Sequence, residues 1–296
     1  MLTHMPFFVM FQRKHLESYR TLRAICENRN LNFVHFHFFY IAKEKPLIDK
    51  TRFYAATFGK DYEHIIEKYE AGMEIDSFCQ SVMLDDKDEI KRAGEIMRLS
   101  ERHILHGPFT ELYPAAIDPR ARRLASDRLN QAYDVCRRLG INRMVVHSGY
   151  VPFVYFKEWH REHSIEFWQE FMSDKAEDFT VYIENVLDDD PYMMRELIEG
   201  IADKRIRLCI DTGHANAAGN VDICEWLEVL GEYTGHIHLH NNYGSADEHN
   251  PPDKGSMDMG KVLEYIDSCC GSDTTITIEA YDLESSFKWL AERGYI

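Results

Sequence analysis

Short runs of apolar, β-branched and aromatic residues alternate with longer amphipathic runs from about residue 52 onward. Short apolar runs predict buried strands, and the amphipathic runs predict helices, so the alternation indicates repeated βα units around a parallel sheet. Eight strands are predicted, at residues 53–57, 73–79, 103–106, 144–147, 179–184, 206–211, 236–240 and 275–279. Eight such units in this length of chain predict an α/β fold, a closed (β/α)8 barrel in a single domain.

Helices are predicted between these strands, among them 86–99, 121–139, 191–201, 221–230 and 259–269. Asp118-Pro119 and Asp190-Pro191 each place a carboxylate just before a proline at the start of such a run. A carboxylate at the N-cap accepts hydrogen bonds from free backbone N–H groups, and proline suits the first helical position. We therefore expect a helix to begin after each of these aspartates.

Residues 1–51 precede the first strand and have no place in the eight-unit scheme. We interpret them as an amino-terminal extension of unknown role to a barrel that occupies residues 52–296. The extension is rich in aromatic residues, and its apolar stretch at 33–41 would suit an interface between copies of the chain. A homo-oligomer is thus one expectation, although the sequence does not fix the oligomeric state.

The amino-acid composition limits which partners the protein can bind and which cellular compartment it suits. The chain has 34 Lys and Arg against 50 Asp and Glu, a formal charge of −16, which argues against general attraction to nucleic acid but leaves room for one basic face. Seven cysteines without a CxxC pair fit a reducing compartment. Without an apolar run of about 20 residues or a secretion-signal pattern, we expect a cytoplasmic protein that does not enter the membrane.

Polar residues that bind metals stand at the ends of consecutive predicted strands. In a (β/α)8 barrel the carboxyl ends of the strands carry the chemistry, and neutral imidazoles and carboxylates are ligands for zinc, manganese and similar ions. A single residue of this kind more often has a structural role, but a run of six such strand ends favours a divalent-metal site. The candidates are His106, His147, Glu184, Asp211, His214, Asp247, His249, Glu279 and one of His236, His238 and His240, among which spacing does not choose.

Strand periodicity supports the same picture. Side chains two residues apart share a face of a strand, so Tyr182, Cys209 and Thr277 share the inward face with Glu184, Asp211 and Glu279. These three upstream residues are suited to a packed barrel interior.

In their order and their strands, these motifs resemble the xylose isomerase-like TIM barrel superfamily over roughly residues 52–296. The resemblance implies a single divalent metal, zinc or manganese, held by Glu184, Asp211, His238 and Glu279. It implies that Glu184 and Glu279 act as the acid/base pair and that His214 touches the substrate. The function implied is a sugar or sugar phosphate isomerase or epimerase that transfers a proton through an enediolate.

Substrate contacts are also expected under this reading. Phe109 and Trp159 would cover the apolar face of a sugar ring, Lys254 would meet a phosphate, and His106, His147 and His249 would bind hydroxyl groups if they hold no metal.

The same superfamily includes nucleases of the endonuclease IV group, which act on abasic DNA with three zinc ions. Their nine ligands have counterparts at His106, His147, Glu184, Asp211, His214, His238, Asp247, His249 and Glu279. The sequence around these residues differs from the nuclease pattern, because the sixth strand ends in Asp-Thr-Gly-His where the nucleases have Cys before His. The loop 81–89 is acidic, which is unfavourable beside phosphate. A nuclease is therefore the alternative hypothesis, and a barrel that binds sugar or metal without turnover is a second alternative.

Overall fold

Eight parallel strands pair in chain order and close into a barrel, with β8 hydrogen-bonded to β1. The computed structural model describes residues 48–296. The strands are β1 (Phe53–Ala56), β2 (Gly72–Ile75), β3 (His103–His106), β4 (Arg143–His147), β5 (Thr180–Glu184), β6 (Ile206–Asp211), β7 (Thr234–Leu239) and β8 (Thr275–Ile278). The predicted (β/α)8 barrel is confirmed.

Helices connect the strands and cover the outside of the barrel. They are α1 (Tyr62–Tyr69), α2 (Lys87–Ile96), α3 (Pro119–Leu139), α4 (Lys157–Met172), α5 (Pro191–Ile201), α6 (Thr212–Ala218), α7 (Ile223–Leu230), α8 (Met259–Cys269) and α9 (Leu283–Glu292). Short 3-10 turns occur at Lys50–Arg52, Ser81–Asp85, Met97–Leu99 and Gly231–Tyr233. As expected, Asp118 and Asp190 cap α3 and α5 by accepting from the backbone N–H groups of Arg120 and Met193.

Four strands end earlier than predicted, and β1 stops one residue short, at Ala56. β2 ends at Ile75 because the chain turns at Asp76, whose carboxylate accepts from the backbone N–H groups of Thr57 (2.6 Å) and Phe58 (3.3 Å). β7 and β8 each stop one residue short of the predicted end, so His240 and Glu279 begin the following loops. These two side chains are consequently positioned by loop contacts as well as by the sheet.

The buried apolar residues divide between two places. The larger cluster fills the layer between sheet and helices, and a small cluster of Tyr54, Ile104, Val145, Tyr182 and Cys209 lies inside the barrel. Tyr182 and Cys209 thus occupy the interior position that strand periodicity predicts, and Thr277 is fully buried. Above the small cluster, toward the carboxyl ends of the strands, the interior becomes polar.

The predicted extension lies almost wholly outside the described residues, including its apolar stretch at 33–41. Contacts place the described residues in one compact unit, Pro46–Ile296. Within it Ile48 is fully buried, and the turn Lys50–Arg52 leads directly into β1. The boundary between residues 51 and 52 stays a prediction. Among the helices of the described residues, none has the length and apolarity that a bilayer crossing requires.

His160 lies on α4 and is fully buried against Tyr150, with ring centroids 5.1 Å apart. Burial lowers its pKa from 6.5 to about 4, so protonation favours the unfolded chain. The stabilisation is complete above pH 6.5 and is lost as the pH falls toward 4. Linkage predicts a loss of about 2 kcal/mol between pH 7 and pH 5 from this residue alone.

We expect His160→Leu to flatten the pH dependence of the unfolding free energy by that amount, measured by urea unfolding at pH 7, 6 and 5. His64→Leu, on the exposed face of α1, should keep the wild-type slope. Equal slopes in all three proteins would contradict the prediction.

Candidate active site

Three buried carboxylates surround one ring nitrogen of His238 at the carboxyl end of the barrel. Nδ1 of His238 lies 3.0 Å from Glu279 Oε2, 3.4 Å from Glu184 Oε1 and 3.7 Å from Asp211 Oδ2. The four residues come from β5, β6, β7 and the end of β8, and all are buried. The structure therefore brings together the four residues that the resemblance names as metal ligands.

The spacing and bonding of this cluster fit a divalent metal. Four ligands at about 2.1 Å from an ion in tetrahedral geometry stand about 3.4 Å from one another, close to the separations found here. Both oxygens of Glu184, Nδ1 of His238 and Oε2 of Glu279 are buried and have no hydrogen-bond partner among the described residues. Because unpartnered buried polar atoms are costly, their convergence on one point favours a cation there.

His106 and His147 flank one side of this cluster. Their Nε2 atoms lie 3.3 and 3.4 Å from the same oxygen of Glu184, Oε2. The ring of Phe109 stacks on His147 at 3.9 Å, nearly parallel, and meets His106 edge-on. The predicted substrate residue Phe109 thus lies at the site and holds the His147 ring in place.

His214, Asp247 and His249 form a second group on the other side. Oδ2 of Asp247 lies 3.2 Å from Nε2 of His214 and 2.9 Å from Nε2 of His249. His249 has a left-handed backbone (φ 46°), which is costly for a residue with a Cβ and is typical of functional sites. Asp247 is the most exposed of the three, so this group lies toward the mouth of the barrel.

The tautomers of three of these histidines follow from their main-chain contacts. Nδ1 of His106, His214 and His249 lies 3.0, 3.0 and 2.7 Å from the carbonyl oxygens of Gly107, Asn185 and Glu279, respectively. A carbonyl oxygen only accepts, so each Nδ1 carries a proton and donates it, and each Nε2 is turned toward the carboxylates. Metal-binding histidines are oriented in this way, by a hydrogen bond from the nitrogen that does not bind.

The electrostatics separate the two glutamates. Burial alone would raise the pKa of Glu184, but the histidines that face its carboxylate outweigh burial and hold that pKa well below its usual range. For Glu279 burial prevails, and its pKa is raised. Burial lowers the pKa of His147 to about 3, so its ring is neutral, the form that binds a metal.

Asn185 ties together the ends of β5 and β6. Its side-chain amide donates to the carbonyl oxygen of Asp211 (3.1 Å), and its side-chain oxygen accepts from the backbone N–H of Asp211 (2.8 Å). This pair of hydrogen bonds continues the strand pairing for one step beyond Glu184. The backbone segments that carry the carboxylates of Glu184 and Asp211 are consequently held at a fixed spacing.

The other two predicted substrate residues have different surroundings. Trp159 lies in the first turn of α4, where its Nε1 donates to the carbonyl oxygen of Ala115 (2.9 Å) and its ring stacks on His163 at 3.6 Å. Lys254 is exposed in the loop after β7, with Nζ 4.0 Å from a carboxylate oxygen of Asp282. The structure joins neither to the cluster by a described contact, and both roles stay predictions.

Two residues that contact the cluster were not assigned to it from the sequence. Glu74 on β2 is buried inside the barrel with Nε2 of His238 3.0 Å from its Oε1, and His240 places Nε2 3.0 Å from Oδ1 of Asp211. A signal for Glu74 existed, because it is the single charged residue in the apolar strand Gly-Met-Glu-Ile. His240 was among the three histidines between which spacing could not choose.

An aromatic group also borders the site from β1 and β8. The rings of Phe58 and Tyr281 each lie within 5.6 Å of the His249 ring, and both side chains are exposed. They extend the apolar edge of the mouth beside His249.

Comparison with known proteins identifies the family. Residues 70–293 match the family model described as the xylose isomerase-like TIM barrel. The chain belongs to this family. Among curated proteins it is similar to two uncharacterized proteins of Methanocaldococcus jannaschii. MJ1311 is 29% identical over 67% of this chain and 72% of its own length, and MJ1614 is 28% identical over 63% and 72%.

Solved structures share the fold. A D-tagatose 3-epimerase-like protein superposes with a TM-score of 0.69 and 23% identity, covering 83% of this chain and 97% of its own. The TTHB071 protein of Thermus thermophilus, soaked with ZnCl2, gives 0.67 and 22%, with 82% and 98% covered. D-psicose 3-epimerase of Clostridium cellulolyticum with D-tagatose gives 0.58 and 17%, with 77% and 84% covered.

Gly213 makes room for His240, which gives a test of the site's packing. A Cβ at Gly213 would lie 1.9 Å from Cε1 of His240, so the ring would have to leave Asp211. Although alanine favours helices and Gly213 lies in α6, we expect Gly213→Ala to destabilise the protein by about 1–3 kcal/mol, measured by urea unfolding.

Gly94→Ala in α2 is the matched control, because its Cβ would meet only ordinary contact, 3.4 Å from Leu139 Cδ2. It should be neutral or stabilising by up to about 1 kcal/mol. A Gly213→Ala protein as stable as the Gly94→Ala protein would show that His240 is not held as described.

Proposed function

We propose that this protein is a divalent-metal-dependent isomerase or epimerase that acts on a small sugar or sugar phosphate. The observation that carries the proposal is the convergence of Glu184, Asp211 and Glu279 on the free ring nitrogen of His238. Membership of the xylose isomerase-like family supports it, as do fold relatives whose names are sugar epimerases. Zinc and manganese both suit a site of one imidazole and three carboxylates.

Glu184, Asp211, His238 and Glu279 would hold the ion. When bound, a divalent ion supplies positive charge that acidifies the carbon-bound proton next to a substrate carbonyl. The two glutamates are then placed to move that proton, because they approach the same point from β5 and from the end of β8. Positioned carboxylates of this kind serve as general acid and general base.

In the proposed reaction one glutamate carboxylate accepts the proton from carbon, and the electron pair of the C–H bond moves onto the neighbouring carbonyl to leave an enediolate. The other glutamate, in its protonated form, returns a proton to carbon as that electron pair moves back. Delivery to the opposite face of the same carbon inverts that carbon. Delivery to the adjacent carbon isomerises the sugar when the hydroxyl proton of the enediolate moves from one of its oxygens to the other. His214, at the edge of the cluster, would donate a hydrogen bond to the developing oxyanion.

The surroundings of the cluster suit a sugar. Phe109 on one side and Phe58 with Tyr281 on the other offer aromatic surfaces to the apolar faces of a ring or chain. The nearby histidines and Asp247 offer polar partners for hydroxyl groups. Lys254 would favour a phosphorylated substrate, and Trp159 would act only on a substrate that reaches the start of α4.

The acid/base assignment predicts that Glu184→Gln and Glu279→Gln lose activity while staying folded. Wild-type protein supplied with Mn²⁺ in D₂O should incorporate deuterium next to the carbonyl group of D-tagatose, D-fructose or L-ribulose, followed by NMR. Removing one general acid or base should slow that exchange by about 10²- to 10⁴-fold.

Glu228→Gln is the matched control, because Glu228 is an exposed glutamate on α7, outside the barrel. It should exchange at the wild-type rate. Undiminished exchange in both site variants would refute the assignment, and binding of sugar without exchange by the wild type would favour a barrel that binds without turnover.

A second candidate function is an endonuclease IV-like phosphodiesterase with three zinc ions. The observation that favours it is the pair of flanking groups, His106 with His147 and His214 with Asp247 and His249, whose ligand atoms lie close enough together to hold further ions. Several close cations would activate water and stabilise both oxygens of an in-line phosphoryl displacement. All nine residues that match the nuclease ligands lie in this one cluster.

The acidic loop after β2 bears less on this choice than its sequence suggests. Asp85 pairs with Arg128 (2.9 Å), and Asp86 caps α2 by accepting from the backbone N–H groups of Asp88 and Glu89. These two carboxylates therefore have structural partners of their own. The epimerase stays first because the four-residue cluster is complete without the flanking groups.

The number of ions separates the two functions. We expect gently purified protein to hold one divalent ion per chain by elemental mass spectrometry, and His249→Ala, which spares the four-residue cluster, to hold one as well. Two or three zinc ions in the wild type, with one or more lost in His249→Ala and cleavage of an abasic-site duplex, would overturn the epimerase in favour of the nuclease.

The compartment and the assembly also remain proposals. Cys79, Cys136, Cys209, Cys224, Cys269 and Cys270 are free thiols in the described part of the chain, which supports a reducing compartment such as the cytoplasm. Self-association through residues 33–41 is kept as a hypothesis about a segment outside the described residues.

A further inference from the structure

Glu74 is a glutamate buried in the middle of the barrel, beneath the carboxylate cluster. It lies on β2 with 1% of its surface exposed, and both its oxygens have partners. Nε2 of His238 lies 3.0 Å from Oε1, Nε2 of His236 lies 3.0 Å from Oε2, and the hydroxyl of Thr277 also donates to Oε2. A buried carboxylate needs such donors, because leaving water costs a charged group several kcal/mol.

The contact with Glu74 decides which nitrogen of His238 is free. A carboxylate accepts hydrogen bonds, so Nε2 of His238 carries the proton and donates it to Glu74. Nδ1 is then the nitrogen that can give its lone pair to a metal, and it is this atom that faces Glu279, Glu184 and Asp211 and has no hydrogen-bond partner among the described residues. The opposite tautomer would place a proton between Nδ1 and the carboxylates and would leave Nε2 facing Glu74 without one.

We propose that Glu74 is a positioning residue for the metal, which fixes the tautomer and the orientation of His238 and increases the basicity of its Nδ1. The proposal rests on the function proposed above only in taking His238 as a metal ligand. Carboxylates that accept from a metal-binding histidine tune affinity in this way, and their loss typically weakens binding by about 10- to 100-fold.

The same network supplies a matched control. Thr277 contacts Oε2 of Glu74, whereas His238 contacts Oε1, so Thr277→Val removes a buried hydrogen bond from the same carboxylate and leaves the His238 contact in place. Valine has nearly the shape of threonine. A role of Glu74 that was merely structural would make Glu74→Gln and Thr277→Val alike in their effect on metal binding.

The test is a Co²⁺ titration of the full chain followed by its visible spectrum, with Zn²⁺ competition and no sugar present. We expect Glu74→Gln to weaken the ion held at His238 by about 10- to 100-fold and Thr277→Val to stay within about threefold of the wild type. Equal affinity in Glu74→Gln and the wild type, or equal losses in both variants, would overturn the proposal.

A second measurement does not depend on any variant folding. Nitrogen-15 NMR of the histidine rings in the Zn²⁺-loaded wild-type protein should show a proton on Nε2 of His238 and none on Nδ1. A proton on Nδ1 would overturn the proposal. Neither experiment uses turnover, so the two proposals can fail separately. Weaker metal binding in Glu74→Gln, with no sugar exchange by the wild type, would refute the epimerase and support the role of Glu74. Unchanged metal binding in Glu74→Gln, with sugar exchange by the wild type, would refute the role of Glu74 and support the epimerase.

Discussion

A closed barrel forces every second side chain of each strand into an interior that water hardly reaches, and this constraint governs the site. Near the amino ends of the strands the interior is filled by Tyr54, Tyr182 and other packed residues. Near the carboxyl ends the same positions carry the buried carboxylates Glu74, Glu184 and Asp211. A buried negative charge needs a positive charge or a hydrogen-bond donor close by to stabilise it. The histidines around these carboxylates meet part of that need, and the proposed ion would meet the rest.

The fold followed from the sequence because its signals are local and repeated. Strand periodicity indicated correctly that Tyr182 and Cys209 face inward, and the capping aspartates at 118 and 190 located two helix starts to the residue. The end of β2 was predicted four residues too late, since the turn depends on Asp76 reaching across to Thr57, a contact between strands that no local pattern contains.

The candidate site was predictable in part for a similar reason. The family resemblance selected His238, and the structure shows the physical difference from its neighbours: Nδ1 of His238 faces three carboxylates, whereas His236 hydrogen-bonds Glu74 and Thr275. Glu74 escaped notice because its importance comes from a partner 164 residues away in the chain. Closing the barrel brings β2 opposite β7, which only the three-dimensional fold reveals.

The amide of Asn185 gives the site a property that its loops do not share. By joining the ends of β5 and β6, it holds two of the four converging side chains to the sheet and not to any loop. The loops that carry Phe58, Phe109 and Tyr281 are therefore free to change in length and sequence without disturbing the spacing of Glu184 and Asp211. Within such a family, substrate preference can diverge while the spacing of these two carboxylates stays constant.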